Sequence, residues 1–187
     1  MCNPNYNKEQ IESIWELFKS KKLKPEDITI YLDMDNTLCI FSHYGDDDDA
    51  LKKARRKGYY RNLPCFHEAP STVETLQKIG FKVKIISACI DTKYCREEKR
   101  EWIRFHLPTM KDEDIILIDN GLNKTDFVEN IEFAILIDDY HKNLIDWMNK
   151  GGLAIKKTYS GKKRPIPQVS NLIEIFEILY SLNIFKN

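Results

Sequence analysis

One rhythm constrains this chain more than any other feature: short, β-rich apolar runs alternate with stretches patterned as amphipathic helices. Ile28-Thr29-Ile30-Tyr31-Leu32 reads as a buried strand, and further strands are expected at 81–86, 114–118, 133–137 and, more weakly, 153–155. Helical periodicity marks 71–79, 94–107 and 141–149, the last stopped by Gly151-Gly152. Alternation of this kind predicts an α/β fold, a parallel sheet with helices over both faces. A short amphipathic helix over 8–19, with Ile11, Ile14, Trp15 and Phe18 on one face, precedes the first strand. A last helix is expected from about 169 to 182.

Ligands of such sheets bind beyond the carboxyl ends of the strands, so each end becomes a site prediction. The first strand delivers Asp33 and Asp35, the second Ser87, and the fourth Asp138 and Asp139; Lys124 follows the third after a short loop. All the chemistry-bearing side chains are expected on one edge. The segment 36–69 breaks the alternation, with an acidic run (46–49), a basic one (52–57) and Gly58-Tyr59-Tyr60-Arg61. Its place directly after the first strand predicts a small cap over the site. The expected organisation is an N-terminal helical extension over 1–25, a core made of 26–35 and 70–187, and the cap insert 36–69.

The carboxylates suit phosphoryl transfer from a monoester. That reaction needs a nucleophile, neutralisation of the phosphate oxygens and a proton for the leaving oxygen. A carboxylate can attack, dividing hydrolysis into formation and breakdown of an aspartyl phosphate. A hard cation must then bridge carboxylate and phosphate, and Mg2+ prefers a few carboxylates with waters and phosphate oxygens. We assign Asp33 as nucleophile and metal ligand, and Asp35 as general acid and then base, its backbone carbonyl also toward the metal. Ser87 and Lys124 are assigned to the phosphoryl group, and Asp138 and Asp139 to the metal site. Each feature alone is weak, because Asp is common in turns and at helix starts. Their order at successive strand ends puts the catalytic reading ahead of the bland one.

Composition bears on partners. Lys plus Arg equals Asp plus Glu at 29 each, so no global field calls for nucleic acid or an anionic membrane, and nucleic acid is an unlikely partner. No apolar run approaches the ~20 residues that cross a bilayer, and no secretory signal is visible in the first residues. Five cysteines without a CxxC pair argue against a disulfide framework or zinc cluster and for thiols in a reducing cytoplasm. The oligomeric state is not legible.

Asp33-Met34-Asp35-Asn36-Thr37-Leu38, Ser87, Lys124 and Asp138-Asp139 resemble the four motifs of haloacid dehalogenase (HAD) superfamily phosphatases. The resemblance implies a three-layer, Rossmann-like HAD core, and Asp35 favours phosphatase over dehalogenase. It narrows further: Gly58 to Leu63, the run Lys93 to Lys99 with Trp102, and Ile135 to Asp139 resemble segments of the 5′(3′)-deoxyribonucleotidases. By that resemblance the substrate is a nucleoside monophosphate, and Phe41 matches the position of an aromatic that contacts the base. The chain departs from the family in its short interval between Asp33 and Ser87, in Ala88-Cys89 where a Ser-Pro pair is usual, and in its extra N-terminal helix. A reduced cap is therefore expected, and with it an alternative substrate such as a sugar phosphate, a polynucleotide end or a phosphoprotein. A binding protein on a retired phosphatase fold is a third reading, opposed by the four filled motif positions.

Tyr59 and Tyr60 offer faces for a base, and we expect one to stack on substrate and one to pack the cap. The basic run 52–57 reads as a solvated helix with local ion pairs, and 46–49 as a solvated loop. His43, His67, His106 and His141 lack metal spacing. Trp102 reads as core, and 156–168, with Lys162-Lys163-Arg164, as a basic surface loop.

Overall fold

A computed structural model describes residues 8–42, 47–159 and 165–185. The expectations placed on the first residues, Cys2, His43, Asp46 and Lys162-Lys163-Arg164 fall outside the described residues.

Strands β1 (Thr29–Leu32), β2 (Lys82–Cys89), β3 (Ile115–Asp119), β4 (Ala134–Asp138), β5 (Leu153–Lys157) and β6 (Gln168–Val169) form one sheet in the order β3-β2-β1-β4-β5-β6. Every pairing is parallel. All five residues of β4 are buried. Successive side chains point to opposite faces, so a strand buried at every position is covered on both sides. The order reverses at β1, which lies between β2 and β4, and such a switch point opens a crevice at the strands' carboxyl ends. This is a three-layer, Rossmann-like α/β fold.

Helix α1 (Lys8–Ser20) buries Ile11, Trp15 and Phe18 and packs toward β5 of its own core. Lys21 Nζ, just past its end, donates to the carbonyl of Glu132 at 2.6 Å. Helix α1 is thus docked on the chain's own sheet.

The second strand and the last helix differ from expectation. The second strand does not stop at 86 but runs to Cys89. Its pairing with β1 ends at Ile85, yet Ile85 to Cys89 go on pairing with β3, so Ser87 sits inside a strand rather than beyond one. The final helix does not begin near Val169. Gln168 and Val169 pair with Lys156 and Lys157 as an edge strand. Asn171 and Glu174 then form a capping box, and the helix, α6, spans Ile175–Ser181. Apolar spacing cannot see a two-residue strand, because its hydrogen bonds come from a neighbour remote in sequence.

Between Leu38 and Phe66 the chain leaves the sheet and returns. The neck is closed by Ile40 N–H donating to the Pro64 carbonyl at 2.8 Å and Phe66 N–H to the Leu38 carbonyl at 3.0 Å. The excursion holds helix α2 (Asp47–Ala54) and a 3-10 turn, Tyr60–Asn62. The acidic run expected as loop therefore enters a helix, and Asp49 in its first turn suits the helix dipole. Asp49 pairs with Lys53 one turn on. Gly58, at φ +87°, turns the chain in a conformation that a residue with Cβ rarely adopts. Helices α3 (Ala69–Ile79), α4 (Cys95–His106) and α5 (His141–Asn149) complete the core.

Candidate active site

The site begins with one hydrogen bond. Asp33 N–H donates to the Ile137 carbonyl at 3.0 Å, extending the β1–β4 ladder by one residue and setting Asp33 beside the end of β4. The chain then winds tightly. The Met34 carbonyl accepts from the N–H groups of Leu38 and Cys39 at 2.9 and 3.1 Å. Asn36 sits at φ +56°, a region that Asn tolerates better than most side chains. Its Oδ1 accepts from the backbone N–H groups of Phe41 and Ser42, both at 3.1 Å. The turn leaves Asp33 and Asp35 at the mouth of the crevice.

Two of the expected residues, Asp33 and Asp138, converge there on a third, the buried Lys124. Lys124, in the 3-10 turn Lys124–Phe127 after β3, donates to Asp33 Oδ1 at 2.5 Å and Asp138 Oδ2 at 2.6 Å. Burial works against its ammonium, but Asp138 and Asp33 outweigh it and hold the pKa above the usual lysine value. Asp138 is fully engaged: Oδ1 accepts from Tyr140 N–H at 2.7 Å, and Oδ2 also accepts from Asn143 Nδ2 at 2.9 Å. Asp33, Asp138 and Asp139 each offer a carboxylate oxygen, all within 4.8 Å of one another. The Asp139 carboxyl is pushed up to about 8, first by burial and then by Asp33 and Asp138. Three crowded acids of this kind need a countercharge, and an oxygen-only donor set matches a hard divalent ion.

Ser87 and Asp35 meet at a second lysine that sequence reasoning did not assign. Lys99 Nζ donates to Asp35 Oδ2 at 2.7 Å, Ser87 Oγ at 2.9 Å and the Ala88 carbonyl at 2.7 Å. Its signal was present in α4: Cys95, Glu98, Lys99, Trp102 and Ile103 form the buried face. Two charged residues on an otherwise apolar helix face must find partners inside the protein. Glu98, the other, accepts from the backbone N–H groups of Gly58 at 2.5 Å and Tyr60 at 3.2 Å. Trp102 is core as expected, and its Nε1 donates to the Leu63 carbonyl at 2.8 Å.

Phe41, Tyr59 and Tyr60 come together but chiefly against one another. Ring centroids lie 5.5 Å apart for Phe41–Tyr59, 6.0 Å for Phe41–Tyr60 and 5.4 Å for Tyr59–Tyr60. Tyr60 is 1% exposed, and it is the packing member of the pair. Tyr59, half-buried, donates its hydroxyl to the Phe41 carbonyl at 2.7 Å. Of the described histidines none joins the acidic cluster.

A family model, 5′ nucleotidase, deoxy (pyrimidine), cytosolic type C protein, matches residues 2–178. The chain belongs to this nucleotidase family. Solved structures of HAD hydrolases share its fold. A HAD family hydrolase from Deinococcus radiodurans R1, with bound phosphate and sodium, superimposes with a TM-score of 0.58 at 12% identity, over 86% of this chain and 97% of that one. A HAD hydrolase of family IA, variant 3, from Entamoeba histolytica gives 0.58 at 14% identity, over 86% and 100%. D,D-heptose 1,7-bisphosphate phosphatase from Burkholderia thailandensis gives 0.55 at 9% identity, over 82% and 99%. At such identities the likeness is one of fold alone. No curated protein matches the chain. Family and fold together make this nucleotidase-family chain a HAD phosphatase, a hydrolase of phosphomonoesters. Among the described residues no helix is long and apolar enough to cross a membrane.

Proposed function

We propose that the chain hydrolyses a 5′-nucleoside monophosphate, deoxyribonucleotides first among them, through an aspartyl phosphate on Asp33 and with Mg2+. The observation that carries this reading is the pairing of Asp33 with Lys124 beside Asp138 and Asp139.

The Asp33 oxygen not held by Lys124 attacks phosphorus, and the bond from phosphorus to the nucleoside oxygen breaks. Asp35 delivers its proton to that departing oxygen. Water then attacks the aspartyl phosphate, the phosphorus–Asp33 bond breaks, and Asp35 takes the water's proton, so that alcohol and inorganic phosphate leave. An ammonium has three N–H donors, and Lys124 spends two of them on Asp33 and Asp138, keeping one for a phosphoryl oxygen. Ser87 offers its hydroxyl to another.

Asp33 and Asp139 would hold the ion, with the Asp35 carbonyl; Asp138, whose oxygens accept three hydrogen bonds, is the less available of the paired acids. Mg2+ bound there neutralises phosphate oxygens that would otherwise repel the attacking carboxylate. In this reading 36–69 is a small cap, 26–35 and 70–187 the core, and 1–25 an extension. The exposed part of the Phe41–Tyr59 pair meets the base. The family's cytosolic type supports a cytoplasmic setting.

A phosphate-release panel with Mg2+ tests the substrate. dUMP and dTMP should be turned over in preference to sugar phosphates, a 5′-phosphorylated oligonucleotide and a phosphopeptide. Turnover of a bulky substrate with dUMP and dTMP ignored would overturn the nucleotidase assignment and leave the phosphatase chemistry standing.

A further inference from the structure

We propose that Lys99 is a positioning residue of the hydrolytic site, one that locks the Asp35 carboxyl and the Ser87 hydroxyl into a single arrangement; the proposal rests on the phosphatase mechanism above. Lys99 is 0% exposed. Its three N–H donors are spent on Asp35 Oδ2, Ser87 Oγ and the Ala88 carbonyl. The ring of Tyr60 covers it, with Nζ 5.0 Å from the centroid, a contact that favours a cation. No donor is left for a phosphate. The two buried lysines therefore divide the work, Lys124 meeting the substrate and Lys99 acting only through other residues.

What Lys99 fixes is orientation. Its bond occupies a lone pair of Ser87 Oγ, so that the hydroxyl's own proton must point away from Lys99. Its bond to Asp35 Oδ2 leaves Oδ1, which is buried and has no hydrogen-bond partner, as the oxygen that gives and takes the proton. Displacements of about 1 Å from a productive geometry cost on the order of 10²-fold in rate. An ammonium held on three sides prevents them.

A merely structural ion pair would look alike in the coordinates but not in kinetics. If Lys99 serves proton delivery by Asp35, its loss harms esters whose leaving oxygen needs a proton far more than esters whose leaving group departs without one. Lys99→Met should be assayed with Mg2+ on phenyl phosphate and on 2,4-dinitrophenyl phosphate, comparing kcat/KM, which reports the step that forms the aspartyl phosphate. The expected result is a loss of about 10²-fold or more for phenyl phosphate and less than about 10-fold for the dinitrophenyl ester. Fluoroberyllate binding should persist, since Asp33 and Lys124 are untouched. Equal losses on both esters, or no loss on either, would overturn the assignment. Lys99→Gln, which keeps two N–H donors without the charge, serves if the Met variant does not fold; failure of both to fold would make the lysine a structural residue and also overturn it. Because both esters lack a nucleoside, the outcome does not depend on the nucleotidase assignment. Parent protein inactive on both esters and on dUMP would refute the phosphatase mechanism itself, a result distinct from a loss seen only in the variants.

Discussion

Glu98 and Lys99 are neighbours on α4, yet Glu98 grips the backbone N–H groups of Gly58 and Tyr60 while Lys99 grips Asp35 and Ser87. One helical turn therefore fastens both the excursion between β1 and α3 and the residues assigned to proton transfer and phosphate binding. Trp102, one turn further on, adds a third tie through the Leu63 carbonyl. A pair of consecutive buried charges accounts for how a short insert keeps a defined place relative to the strand ends.

Glu98→Ala should accordingly be among the most damaging single changes outside the acidic cluster. It strands two backbone N–H groups, one of them on buried Tyr60, and each unsatisfied buried group costs about 1–3 kcal/mol. Urea unfolding should show a loss of that order. Glu98→Gln keeps one acceptor oxygen and should lose less. A Glu98→Ala protein as stable as the parent would show that the insert is held by other contacts.

Much of this arrangement was legible in the sequence. Apolar runs ending in Asp33, Asp138 and Asp139 marked strand ends, and the rule that ligands gather there placed the acids on one edge. The local pattern could not show that β2 continues past Ile85, because that extension depends on pairing with β3, a neighbour thirty residues away in the chain. For the same reason the local pattern sets Ser87 beyond the strand. Nor could periodicity say that Lys99 reaches Asp35. Lys99 stands three residues before Trp102, and so on its face of the helix, but nothing local shows that the Asp35 carboxylate and the Ser87 hydroxyl wait across from that face. The sequence offers one of Tyr59 and Tyr60 for substrate and one for packing, but does not show that both rings and Phe41 pack against one another.

Replacing Asp33 should remove activity, whereas replacing Asp35 should weaken it. Asp33→Asn leaves no carboxylate to attack phosphorus, so phosphate release should fall below detection. Asp35→Asn removes a proton donor and acceptor, a contribution of about 10²–10⁴-fold, and should lower kcat by that order on esters of alcohols. Parent-like rates in either variant would contradict the nucleophile and acid–base roles of these two aspartates. The same reading expects fluoroberyllate with Mg2+ to bind the parent and to protect it thermally, and Asp33→Asn to abolish that protection.

Metal and proton should compete at Asp139. Its carboxyl is pushed up to about 8 in the native protein, by burial and then by Asp33 and Asp138, against roughly 4 in an unfolded chain. Between those values the native state binds more protons than the unfolded one, so stability without metal is greatest below about pH 4 as far as this group is concerned. It is lost as pH rises through about 8. Ion binding requires the ionised form, so the thermal stabilisation produced by a fixed Mg2+ concentration should grow from about pH 6 to about pH 9. Asp139→Asn should abolish that growth, while Asp138→Asn should diminish it less, because both Asp138 oxygens serve hydrogen bonds to Lys124, Asn143 and Tyr140. A Mg2+ shift independent of pH would remove Asp139 from the ion site, and one lost only with Asp138 would exchange the two residues' roles.

Gly152 provides a test of the fold that supports the acidic edge. A Cβ there would lie 2.3 Å from Trp147 Nε1 and 2.9 Å from the Ile131 carbonyl oxygen. Trp147 is fully buried and its ring meets Tyr31 of β1 edge-on at 5.2 Å, so it cannot swing away without disturbing the central strand. Overpacking of this sort costs about 1–3 kcal/mol. Gly152→Ala should therefore lower the stability measured by urea unfolding by that amount while the m-value stays unchanged. Because the added methyl lies at the start of β5 and not at the carboxyl ends of the strands, kcat on phenyl phosphate should hold close to the parent's at temperatures where the variant remains folded. A fall in kcat without a fall in stability would mean that the β1–β4 edge moves as a unit with the α5–β5 turn.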